Sequence, residues 1–321
     1  MTQPSRRRTI PIIDVRSQIL SRTRSVPVPL PRVRHEIAQH TGKATSVRSL
    51  ADGEQPISDL LKEARPAFQI FREGKYTHVS DIISKCARKI ALIRRLGSNH
   101  TPHRLLDGHA ITFAQGDAIH DFVKKRFVEG HPDKVWASWQ CRCGTTTTPP
   151  MLYKDIDEAM VCRVCRSLPF KYVEVLFADN EYEVIGSPDL LLYLNAQRAY
   201  YITELKSISS DLWDRLERPQ PDHIIQTLFY WKLLRANGYP LVDQVSILYV
   251  KKEYTWKWPY REFVVKPEEQ LHRLEDFLRD LGQIRDARES TNPLPPRLVC
   301  GTPNSPEAKQ CPVCVTCFQL K

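Results

Sequence analysis

The chain has 321 residues, 41% hydrophobic and 26% charged, with net charge +10. That composition fits an ordinary globular protein and excludes a fibrous or wholly disordered one. No apolar run approaches a membrane span, and the start lacks the apolar core of a secretory signal.

Residues 1–65 come first. Ten of the 47 basic and two of the 37 acidic side chains fall in residues 1–50, so the rest is close to neutral. We expect 1–65 to be a basic, largely disordered tail with a short helix near 57–62. It could be an electrostatic handle for a polyanion or simply a solubilising segment. An Arg-rich, acid-poor start also allows a mitochondrial transit peptide, although the prolines between Val26 and Pro31 break the helix it would need. Otherwise a cytoplasmic protein is expected.

Residues 80–96 read as one helix, with Ser80 as N-cap and Ile82, Ile83, Cys86, Ile90 and Ile93 at helical spacing. On that reading Cys86 lies on the buried side, where a thiol packs as a small hydrophobe. Residues 112–127 read as a second helix, with Ala114, Ala118, Phe122 and Phe127 on its apolar side and His120 in its middle.

Residues 135–172 look like an insert. They hold Cys141-Arg142-Cys143 and Cys162-Arg163-Val164-Cys165. Two such knuckles suit a four-thiolate zinc ribbon, whose metal would supply its folding energy; unliganded thiols are the alternative. Nine cysteines, an odd count, suit metal sites in a reducing compartment better than disulfides.

Residues 171–177 alternate as a strand carrying Glu174, either near a site or facing solvent. Residues 186–206 then read as a β-hairpin. Its second strand ends on Glu204-Leu205-Lys206, and alternation puts Glu204 and Lys206 on one face with Leu205 in the core. The hairpin can bring Asp189 beside Glu204. Two carboxylates and an ammonium suit Mg²⁺ and charge developing on a phosphoryl group; an exposed ion pair is the plainer alternative.

Residues 221–234 read as a helix with Gln226 and Tyr230 as i, i+4 neighbours. Residues 245–251 and 254–266 form another hairpin with a basic, aromatic tip, suited to single strands or, more simply, to cross-strand aromatic pairing. Residues 267–288 form an amphipathic helix with Leu271, Leu274, Leu278, Leu281 and Ile284 facing in. Residues 297–321 gather Cys300, Cys311, Cys314 and Cys317 in so little structure that a bound metal is expected.

Pro188-Asp189 followed by Glu204-Leu205-Lys206 resembles the signature of the PD-(D/E)XK nuclease superfamily. Gly116 to His120 resembles the Gly-x-x-x-His element of its RecB-like branch, and Gln226 to Tyr230 that branch's Gln-x-x-x-Tyr helix. The segment around Cys86 resembles that of its iron–sulfur members, the CRISPR-associated and AddB-type exonucleases. The resemblance implies an α/β, restriction-endonuclease-like core over residues 66–321: a central mixed sheet flanked by helices, a zinc-ribbon insert and a C-terminal cysteine clasp.

It also implies a metal-dependent deoxyribonuclease, an exonuclease on single-stranded DNA or DNA ends, working in recombination, repair, phage DNA processing or spacer acquisition. Asp189 and Glu204 would hold Mg²⁺ or Mn²⁺ with His120 and the Leu205 carbonyl, and Glu174 would stand nearby. Lys206 would position the attacking water, and Gln226 and Tyr230 would shape the DNA path. Family members bind a 4Fe–4S cluster through one early and three late cysteines, which here implies Cys86, Cys300, Cys311 and Cys317. The last three cysteines depart from the family's C-x2-C-x5-C, so Cys314 competes, and a zinc site made of the C-terminal four is a rival. No helicase motif is present, so a helicase or recombination protein would be a separate partner. A catalytically silent DNA-binding module with the same fold is the alternative function.

Overall fold

The structure is a computed structural model. It describes residues 68–69, 76–83, 86–97, 103–104, 107–147, 149–253, 255–256, 258–288, 291–309 and 311–320. Residues 1–65, with the expected basic tail and short helix, lie outside them.

The described chain opens on β1 (Phe68–Gln69), β2 (Thr77–His78), α1 (Val79–Ile83) and α2 (Ala87–Leu96). β3 (His103–Arg104) precedes the long α3 (Asp107–Gly130). The insert contributes β4 (Trp136–Gln140), β5 (Met151–Leu152) and β6 (Lys171–Val173). Then come β7 (Phe177–Asp179), β8 (Val184–Gly186), β9 (Leu190–Leu194), β10 (Ala199–Ile208), α4 (Ser210–Asp214), α5 (Pro221–Ala236), β11 (Leu241–Lys251) and β12 (Tyr260–Val265). α6 (Pro267–Gln270), α7 (Leu274–Asp286), α8 (Pro306–Lys309) and α9 (Cys314–Gln319) end it. No described helix is long and apolar enough to cross a membrane.

This is a mixed α/β fold with several small sheets. The largest has the order β12-β11-β10-β9. β10 and β11 run parallel, and the outer pairs are antiparallel. Parallel neighbours need a crossover, and α5 is that crossover. Pro221 at its first turn presets φ, and Gly238 beyond its end takes φ +81°, a conformation glycine adopts without strain. Leu228, Phe229, Leu233 and Leu234 of α5 pack with Ile202, Val245 and Ile247 of the sheet. Across the sheet, Val123 of α3 packs with Leu190, Leu205 and Val250. β10 is therefore covered on both faces, with Leu205 turned towards α3 and Ile202, two residues before Glu204, turned towards α5.

Four local readings of the sequence change. The helix expected over 80–96 is two helices, α1 and α2. Cys86 is extended (φ −131°, ψ 92°) and caps α2, its Sγ accepting from the Lys89 amide at 3.4 Å. The apolar side of α3 is not Ala114, Ala118 and Phe122, which face solvent; Ile119, Val123, Phe127 and Val128 pack inward. The helix turns that way because His120 and Lys124 find carboxylate partners at the sheet. Glu174 lies on no strand: β6 pairs with β4 and β7 with β8, and the chain changes sheets at Glu174.

At the β11–β12 turn, the Trp258 ring meets that of Tyr260, two residues on, at 5.0 Å, and across the two strands the Tyr249 and Phe263 rings pair at 5.8 Å. Tyr254 and Lys257 lie outside the described residues. A 3₁₀ turn at Leu271–Arg273 resets the helical phase, so Leu271 is exposed while Leu274, Phe277, Leu281 and Ile284 form the buried row of α7.

Candidate active site

The β9–β10 ladder ends at the Leu190–Thr203 pair. Asp189 stands one residue beyond, and its Oδ2 takes the next ladder position by accepting from the Leu205 amide at 2.9 Å. A strand residue's N–H and C=O leave on the same side, so the Leu205 carbonyl also turns towards Asp189. Glu204 and Lys206 follow by alternation, on the side facing α5. Lys206 Nζ donates to Glu204 Oε1 at 2.6 Å and to Gln226 Oε1 at 2.9 Å. Gln226 Nε2 donates in turn to the Tyr230 hydroxyl at 2.9 Å. Glu204 Oε2 is buried and, among the described residues, has no hydrogen-bond partner.

α3 closes the site from the other side. His120 Nδ1 is 3.3 Å from Asp189 Oδ1. Lys124 Nζ lies 3.1 Å from Asp189 Oδ1 and 2.5 Å from Glu174 Oε1. Ser187 Oγ donates to Glu174 Oε2 at 2.5 Å, and the Tyr172 hydroxyl to the Asp189 carbonyl at 2.8 Å. The result is a cleft of about 560 Å³, with exposed Asp117 and Asp121 among its lining.

Two glycines permit this closeness. A Cβ on Gly186 would sit 2.6 Å from the Tyr230 ring and 2.9 Å from Val79. On Gly116 it would come to 3.2 Å from Ser207 Oγ, which presses α3 onto β10. Both belong to motifs singled out in the sequence, and close approach is the physical reason for each.

The two buried carboxylates diverge electrostatically. Burial alone would raise Asp189, but the His120 hydrogen bond and the Lys124 charge hold it well below the usual carboxylate range. Burial pushes Glu204 up to about 8, with Asp189 adding to the rise and Lys206 opposing it. Burial opposes the charge on Lys206, yet Glu204 keeps its pKa raised. Glu204 Oε2 is thus a deep carboxylate oxygen with no donor among the described residues, in the same cleft as Asp189 and His120.

The structure thus brings together Asp189, Glu204, Lys206, His120, Glu174, Gln226, Tyr230 and Leu205. Sequence reasoning missed Lys124, Ser187 and Tyr172. Lys124 carried one usable signal: it is four residues after His120 and shares its helix face.

The cysteines form two groups. At the end of β4, the Cys141 amide bonds the Thr145 carbonyl at 2.9 Å, and Gly144 turns with φ +90°. In the second knuckle, the Cys162 amide bonds the Ser167 carbonyl at 3.0 Å. Cys141, Cys143, Cys162 and Cys165 bring their sulfurs within 4.8 Å of one another. Hydrogen bonds from Ser167 lower the Cys165 thiol to about 5, which favours the thiolate that a metal needs. This four-cysteine cluster in the insert could hold a metal ion.

The second group is Cys86, Cys300, Cys311, Cys314 and Cys317, which line one small cavity with Lys89 and Arg297. Burial raises Cys86, and the charges of Cys300 and Cys317 add to the rise; burial likewise raises Cys311, with Cys86 and Cys317 as neighbours. Cys314 Sγ instead lies 3.8 Å from the Pro303 carbonyl. Among the described residues only the insert's four sulfurs are close enough for a single ion.

No family model and no curated protein matches the chain. Among solved structures it is similar to an alkaline exonuclease (LHK-Exo) from Laribacter hongkongensis, at 14% identity over 65% of this chain and 88% of that one, with TM-score 0.34. It is also similar to SSO0001, at 13% identity over 70% of this chain and 81% of that one, with TM-score 0.31. Both likenesses are loose, and the chemistry has to be read from the cleft itself.

Proposed function

We propose that residues 66–321 are a nuclease domain with a PD-(D/E)XK core of the RecB-like branch, and that the protein is a Mg²⁺- or Mn²⁺-dependent deoxyribonuclease acting on single strands or DNA ends. The observation that carries this reading is the buried, unpartnered Glu204 Oε2 beside Asp189 and Lys206. Asp189, Glu204 Oε2, the Leu205 carbonyl and His120 would hold the cation. When bound, it would supply a nucleophilic hydroxide and polarise a phosphoryl oxygen.

The chain's own groups do the rest. Lys206 spends two of its three donors on Glu204 and Gln226, which fixes the ammonium and leaves one for the attacking water or a phosphoryl oxygen. Its charge offsets that which gathers on the pentavalent phosphorus. Gln226, held by Tyr230, gives Lys206 a second anchor besides Glu204. Lys124 and His120 keep Asp189 ionised. Asp117 and Asp121 at the cleft repel a second phosphate chain, which favours a single strand or a frayed end.

Purified protein incubated with end-labelled single- and double-stranded DNA should cleave with Mg²⁺ or Mn²⁺ and stop in chelator; intact DNA with both metals would overturn the reading. Cation binding also has a readout without turnover. At one hundred times Kd a cation stabilises the fold by about 2.7 kcal/mol. The unfolding midpoint should therefore rise with Mn²⁺ in the wild type and stay put in Glu204→Gln.

We also propose that the basic segment 1–65 binds the DNA backbone. Deleting residues 1–50, which hold +8 of the +10 net charge, should weaken DNA binding and flatten its salt dependence. Turnover on short substrates at saturation should change little. An unchanged slope of log Kd against log salt would show that the segment does not touch DNA.

A further inference from the structure

Among the described residues, exposed aromatic surface gathers where β11 turns into β12. Trp256 and Trp258 are 93% and 76% exposed. They line a groove of about 660 Å³ with Trp213, Tyr260, Lys251 and Arg261. The groove is braced: the Arg261 guanidinium lies over the Trp213 ring at 4.6 Å and donates to the Trp213 carbonyl at 3.1 Å. Trp258 packs edge-on against Tyr260. The groove lining carries a net charge of only +1, because Asp214, 3.9 Å from Lys251 Nζ, offsets one of the two cations, Lys251 and Arg261.

Two elements connect the groove to the cleft. The Lys252 amide bonds the carbonyl of Ile208, two residues past Lys206 on β10. Lys252 Nζ donates to the Thr112 carbonyl of α3, the helix that carries His120. From Thr112 to His120 is about 12 Å along a helix axis, and from Glu204 to Ile208 about 13 Å along a strand. Both distances correspond to roughly four nucleotides at the spacing of a stacked strand.

We propose that this groove is a base-stacking platform for a single-stranded nucleic acid whose backbone continues into the cleft; the continuation rests on the nuclease reading, the stacking does not. Braced aromatic faces suit any base, because every base has a π-face. A groove with so small a net charge gives little counterion release. Its contribution to affinity is therefore insensitive to salt, unlike that of the basic segment. A partner protein would gain more from a broad flat patch than from rings set along a groove that leads towards a catalytic cleft.

The test measures full-chain binding, in chelator so that nothing is cleaved, to a labelled oligothymidylate and to an abasic sugar-phosphate strand of equal length. The double variant Trp256→Ala/Trp258→Ala should bind the oligothymidylate about tenfold more weakly with an unchanged salt slope. Affinity for the abasic strand should not move, and Trp256→Phe/Trp258→Phe should recover most of the loss. Equal affinities of wild type and double variant would overturn the platform. So would equal losses on both ligands, or a change of oligomeric state with unchanged affinity, which would make the groove a contact between copies. A wild type that stacks bases but cleaves nothing with Mg²⁺ or Mn²⁺ would sink the nuclease reading and leave the platform standing.

Discussion

Asp189→Ala, Glu204→Ala and Lys206→Ala should each reduce DNA cleavage to background while the protein still folds. The carboxylate variants lose the oxygens that would hold the cation. Lys206→Ala loses a positioned charge, worth roughly 10²–10³ in rate by comparison with single transition-state donors elsewhere. Stability separates these variants further. Removing Lys206 strips Glu204, 3% exposed, of its ammonium partner. Above about pH 8, where Glu204 ionises, a buried charge is then left without its partner, which typically costs about 3–5 kcal/mol, so at that pH Lys206→Ala should melt earlier than Glu204→Gln.

The pH dependence has a definite sign. Glu204 in the folded state holds its proton up to about 8, against 4.5 for an ordinary glutamate. Its contribution to stability is thus full below about 4.5 and lost as pH rises towards 8. Metal-free wild type should lose stability across that window, and Glu204→Gln should flatten the loss. Cation binding should do the same, by favouring the ionised carboxylate. Wild-type cleavage rates in Lys206→Ala would mean that the reaction occurs elsewhere on the molecule.

The cleft face that carries Glu204 and Lys206 was legible in the sequence for a local reason. Strand alternation fixes which of Glu204, Leu205 and Lys206 share a side, and a short hairpin fixes which residue of the first strand meets them. Gln226 and Tyr230 were legible through helical spacing. Lys124 was not, because its partner Glu174 is 50 positions away and no local pattern links them. The phase of α3 was misread for the same reason. Ala114, Ala118 and Phe122 look like a core stripe, yet the contacts of His120 and Lys124 with distant carboxylates turn that stripe outward. Glu174 shows a different limit: an alternating run can be shared between two sheets, and sequence does not mark where the chain changes partner. The break before Cys86 is likewise tertiary. α2 is anchored by Arg88, which donates to the carbonyls of Pro295 and Leu320 at 3.0 and 2.7 Å, so its direction follows the C-terminal segment rather than α1.

That anchoring leads to the sharpest expected result. Protein purified without oxygen should be brown and contain iron, sulfide and about one zinc per chain. The zinc is expected at Cys141, Cys143, Cys162 and Cys165, whose sulfurs stand within 4.8 Å of one another. The second group is wider. A polynuclear cluster spreads its thiolates further apart than one ion does, which suits Cys86, Cys300, Cys311 and Cys317 around their cavity. Cys314, turned towards Pro303, is the expected spare. Cys86→Ser should therefore bleach the protein and make residues 297–321 protease-sensitive, since a cluster there would reinforce the clasp that Arg88 makes to Leu320, 232 positions away. Cys314→Ser should leave the colour intact. Cys162→Ser should remove the zinc and loosen the knuckle loops without bleaching the cluster, while Trp139 and its neighbours stay packed against α3 and β9. A colourless anaerobic preparation with two zinc ions and no iron would refute the cluster. It would make Cys300, Cys311, Cys314 and Cys317 a second zinc site and leave Cys86 as the cap of α2.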